Sequence, residues 1–172
     1  MRLVPVLFLM LCGCVHAPDP PVEDPRCAGA NARAALERAK ADRRRTFEIA
    51  AKDVTSVAEE VGRLATRGLN AKNASQRPLT AEQTMQADGR LRGVRGILLA
   101  EHDHLLDLAT HASDPFDGND ARSSCREVVA KTDAELSQTR SVVRSALQEF
   151  QIVADEYGLP VSIQVDSSSP AR

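Results

Sequence analysis

Between Phe47 and Leu64, apolar residues recur at a spacing that only a helix turns into one continuous face. Phe47, Ala50, Val54, Val57, Val61 and Leu64 follow a heptad rhythm, and Ala51, Ala58 and Ala65 widen the stripe. A strand would need strict alternation instead. Upstream the stripe continues in Ala28, Ala32, Ala35, Leu36 and Ala39, mostly small residues that let helices approach closely. Leu91, Val94, Leu98, Leu105, Ala109 and Ala112 form a second stripe. Val129, Leu136, Val143, Ala146, Phe150, Val153 and Tyr157 form a third, interrupted by Thr132 and Thr139. Apolar residues make up 42% of the 172 residues, but only 3% are aromatic and none is Trp. Ala, Val and Leu must therefore supply the core, which suits close-packed helices better than a β-sandwich.

Punctuation residues divide the stripes. Asp24-Pro25 reads as an N-cap with proline at the first helical position. Gly68 and Asn70 read as stop signals. A polar loop from Asn73 to Pro78 leads to Thr80, which pairs with Gln83 as a capping box. Asp114 to Asp120 reads as a turn, and Ser124 with Glu127 as a second capping box. Gly158-Leu159-Pro160 reads as a left-handed cap followed by a proline. These signals predict helices over 25–70, 81–112 and 125–157, within a body spanning 26–160. Short connections make neighbours antiparallel, so the expected fold is an all-α, elongated, coiled-coil-like up-down-up three-helix bundle. Gly89, Gly93 and Gly96 weaken the second helix by about 1 kcal/mol each relative to Ala. Ile97, Leu99, Leu106 and Leu108 give that helix more apolar surface than one partner needs, which predicts contact on two sides or an oligomer interface. The basic run Arg43, Arg44 and Arg45 reads as a solvated face. Residues 161–172 read as a flexible tail, with Val161, Ile163 and Val165 alternating as one short extended piece.

The N-terminus carries an address. Met1-Arg2 is followed by an apolar run from Leu3 to Leu11, broken only by Pro5. The run is too short to span a bilayer, which takes about 20 apolar residues. It has the length of a signal-peptide core. Leu11-Cys12-Gly13-Cys14 resembles a bacterial lipoprotein lipobox, although Cys12 replaces the commoner Ala, Ser, Thr or Val. The resemblance implies removal of residues 1–13 and acylation of Cys14, whose chains partner the lipid bilayer. Each buried methylene would contribute about 0.8 kcal/mol. Val15 after the cysteine, instead of Asp, implies sorting to the outer membrane, with the body facing the periplasm. Residues 14–25 would form the lipidated, proline-rich tether, extended at about 3.1 Å per residue.

In an up-down-up bundle, Cys27 and Cys125 fall in the first turns of helices that begin at the same end. A signal peptide places the domain where disulfides persist. A Cys27–Cys125 bridge is therefore expected.

Chemistry-bearing residues are sparse. Glu101-His102-Asp103-His104, with Asp107 and His111, puts imidazoles and carboxylates on one stretch of the second helix. His102, His104, Asp107 and His111 are candidate ligands for Zn²⁺ or Cu²⁺. His104 and His111 stand two full turns apart, however, and no H-E-x-x-H occurs. A solvated polar face accounts for them more simply. The Asp-rich turn lacks the ligand order of an EF-hand. Met85 could serve as a haem ligand, but no C-x-x-C-H accompanies it, and no cofactor is expected. No Walker loop, G-x-S-x-G or G-x-G-x-x-G is present, and an enzyme is not expected. Net charge is −2, without the basic excess that nucleic-acid binding requires. The expected function is a non-catalytic structural or interaction module of the cell envelope, with an envelope protein or a second copy as partner. The alternative is a periplasmic metal-binding or stress-sensing lipoprotein that uses the His/Asp facet.

Overall fold

The computed structural model describes residues 24–28, 31–115 and 120–161. The lipobox, Cys14 and most of the tether lie outside the described residues, as does the tail beyond Val161. The chain forms α1 (Ala32–Asn73), α2 (Ala81–Thr110) and α3 (Ala121–Glu156), each packed against the other two. At 1.5 Å per residue these helices are about 63, 45 and 54 Å long. The order of cross-helix contacts fixes the directions. Arg90 of α2 bonds Glu149 of α3, Glu101 meets Thr139, and His104 meets Glu135. Rising numbers on α2 meet falling numbers on α3, so the two are antiparallel. Cys27 is bonded to Cys125, and Gly68 abuts Leu159, so α1 and α3 run in parallel. This is the expected up-down-up, all-α three-helix bundle.

Apolar burial falls into two clusters. The larger holds Phe47, Phe150, Leu91, Leu98, Leu105, Val61 and Val153 among others, drawn from all three helices. The smaller is made of Cys27, Ala35, Ala39, Cys125, Val128 and Val129, with none from α2. Between them lies polar material. Arg43 is buried with its guanidinium carbon 5.1 Å from the centre of the Phe47 ring. Burial lowers its pKa, and the charges of Glu135 and Asp114 work the other way. Thr132 donates to the Val128 carbonyl at 2.7 Å, and Thr139 to Glu101 at 2.5 Å. The basic run is therefore not uniformly solvated: Ala39, Arg43 and Phe47 are four residues apart, so one face carries all three inward. Arg44 and Arg45 are exposed, with Arg44 paired to Glu48.

Three boundaries differ from expectation. α1 begins at Ala32, where the Asn31 side chain accepts from the Ala34 amide, instead of at Pro25. Residues 24–27 form a turn closed by Cys27 N–H on the Asp24 carbonyl. Long-range ties compete with helix there: Cys27 is bonded to Cys125, and Arg26 forks onto Asp133 at 3.1 and 2.8 Å while also holding Asp24. α3 begins four residues before the expected Cys125, because Asp120 accepts from both the Arg122 and Ser123 amides. Ser124 is buried beside Cys125. Gly68 does not stop α1. A Cβ there would lie 3.1 Å from Val161 Cγ2 and 3.3 Å from Leu159 Cβ, so the glycine admits the chain leaving α3.

Two boundary motifs form as read. The Thr80–Gln83 box is complete in both directions. Gly158 has φ +58, Leu159 N–H bonds the Ala154 carbonyl, and Gly158 N–H bonds that of Asp155. This is a Schellman motif, with Leu159 buried in the larger core.

Candidate interaction surface

α2 carries an apolar seam and a polar, irregular back. Ala87, Leu91, Val94, Leu98, Leu105 and Ala109 are buried. Six large apolar side chains are exposed among the described residues, and four of them, Met85, Ile97, Leu99 and Leu106, lie on α2. Leu108, counted with them from sequence, packs against the larger core instead. At 100° per residue, Leu99 and Leu106 fall on the flank towards α1 and Ile97 on the flank towards α3. An open groove of about 260 Å³ joins Ile97 to Val142 and Ala146 of α3, with Ser145 and Glu149 at its edge. The expected surplus is thus real but divided between two flanks.

Between those flanks runs a row of glycines. Gly89, Gly93 and Gly96 project from the side opposite the buried seam, and all three are exposed. A Cβ at any of them would meet nothing within 4 Å. The bundle's own packing therefore does not require these glycines. The 3- and 4-residue spacing was the available signal, since it places all three on one face.

The four site candidates for metal do not converge. His102 Nδ1 lies 3.0 Å from Asp103, and His104 Nε2 lies 3.7 Å from Glu135 on α3. His111 bonds the Asp107 carbonyl at 2.9 Å and stands 3.3 Å from its carboxylate. That carbonyl bond, with the charges of Asp107 and Asp114, raises the pKa of His111 above 6.5. Each imidazole has a different neighbour, and no group of three or more His, Cys, Asp or Glu side chains among the described residues is placed to hold a metal. Asp120, expected in a turn, serves as the α3 cap.

The Cys27–Cys125 disulfide is formed, with Cα atoms 5.8 Å apart. No helix among the described residues is long and apolar enough to cross a membrane. No protein-family model, curated protein or solved structure matches this chain.

Proposed function

We infer that this chain is a lipid-anchored envelope protein whose helical body serves as a non-catalytic interaction module, with the outer side of α2 as its contact surface. The observation that carries the reading is the pairing of exposed apolar side chains with glycines that have no use inside the bundle. Met85, Ile97 and Leu99 flank Gly89, Gly93 and Gly96. Each exposed helical glycine costs about 1 kcal/mol relative to Ala. A partner helix lying close against that face would give the small residues a purpose. The lipobox resemblance supports the anchor through Cys14, with residues 1–13 removed. The Cys27–Cys125 bond agrees with an oxidising compartment such as the periplasm.

The test separates contact from folding. Gly93→Leu adds a side chain into open space, so the bundle should melt no lower, and higher by roughly the 1 kcal/mol that the glycine costs. Light scattering of the purified chain, and crosslinking in the bacterial envelope, should show an associated species that this variant loses. A strictly monomeric chain with no crosslinked partner, or association unchanged by Gly93→Leu, would refute the reading.

A further inference from the structure

A second groove, of about 550 Å³, runs between α1 and α2 on the flank that carries Leu99 and Leu106. Arg63 and Arg67 of α1 and Arg95 of α2 line it, with Glu59 and Asn70. Their situations differ. Arg63 is held by Glu60, with Nε 2.7 Å from Oε2. Arg67 and Arg95 make no ion pair or side-chain hydrogen bond with any described residue. Arg95 is nevertheless positioned by the fold. It crosses α1 at Gly62, where a Cβ would stand 3.4 Å from its Cδ and Nε. Arginines from two different helices thus line one groove, Arg67 with its charge acting on Glu60 and Arg95 lying over Gly62. Leu99 lies one turn beyond Arg95 on the same face of α2, and Leu106 two turns further.

We propose that this groove binds a carboxylate-bearing, partly apolar segment of a partner protein. This rests on the reading of the body as an interaction module and names the chemistry of its partner. The guanidinium fork matches a carboxylate in bidentate geometry. Glu59 and Glu60 keep the groove only mildly positive, which favours single carboxylates over a phosphate chain or a dense anionic lipid surface. Leu99 and Leu106 supply apolar contact along the same line, and the partner's acidic residues meet Arg67 and Arg95.

The test uses the full chain in neutral detergent. It is titrated with a fluorescent amphipathic peptide of Glu and Leu, with the Lys and Leu counterpart, and with vesicles containing phosphatidylglycerol. The Glu peptide should bind saturably, and the Lys peptide should not. Arg67→Gln with Arg95→Gln should weaken binding about tenfold or more, the scale of losing charge-assisted bonds. The circular-dichroism melt should move little, because both side chains are exposed. Equal binding of both peptides, indifference to the double substitution, no binding at all, or recruitment of vesicles through these two arginines would overturn the proposal. The broader reading fails by a different result, a monomer without any envelope partner.

Discussion

The two ends of the bundle are held together by different means. From Phe47 to the distal end, Phe47, Phe150, Leu91 and Leu98 fill the space among three helices, and each is at most 2% exposed. At the end where the chain enters, α2 contributes nothing to the small cluster, whose side chains are Ala, Val and Cys. Little apolar area can be buried between two helices with such residues. A disulfide across 98 residues makes up for the deficit, and the exposed Arg26 fork onto Asp133 adds little to it. The comparison teaches where covalent closure is needed: at the end with least apolar volume.

Breaking each end in turn sharpens the contrast. Phe150→Ala should cost about 3–5 kcal/mol by leaving a cavity among three helices, read as a lowered denaturation midpoint. Val128→Ala, in the small cluster, should cost clearly less under the same assay. Replacing both Cys27 and Cys125 by Ala should cost about 2–5 kcal/mol, chiefly by restoring freedom to the unfolded chain. The same loss should follow reduction of the native protein. Gly68→Ala should gain less than the roughly 1 kcal/mol that helix propensity alone offers, because Leu159 and Val161 must shift by a few tenths of an ångström. A thermal melt that rises by the full amount would show that the crossing is loose.

Acid and base should act on the entry end in opposite senses. Asp24 has its pKa lowered, first by its side-chain bond from Arg26. Its contribution is present above the ordinary carboxylate value and disappears as pH falls through the lowered one. His111 has its pKa raised. Its contribution is present below 6.5 and disappears as pH rises through the raised value. NMR titration should place the His111 midpoint above 6.5, and His111→Gln should remove that dependence. Both side chains are solvent-facing, so these effects should be the smallest of the set.

Most of the architecture was legible because local and long-range demands agreed. The stripes through Phe47, Leu98 and Phe150, the Thr80 box and the Gly158 cap each obey one rule, and nothing opposes it. Boundaries depart from the sequence signals where two rules compete. Asp24-Pro25 is good helix-start grammar, but Cys27 and Arg26 are bound to α3. Ser124 and Glu127 match a capping box, but Asp120 caps one turn earlier. Arg43 is hidden in a basic run, and only its four-residue spacing from Ala39 and Phe47 marks it as inward. The histidine facet of α2 was readable as a list of ligands but not as a geometry, since closing it needed side chains from another helix. Arg67 and Arg95 converge only through helix pairing, which no single stretch of sequence displays.

Hydrogen exchange on the full chain, with the disulfide intact and after reduction, tests the division most directly. Reduction should release protection in 32–43 and 121–129 while 47–69, 91–105 and 146–154 keep theirs. Uniform loss across all three helices, or no change near Cys27 and Cys125, would contradict the account of one end packed and the other stapled.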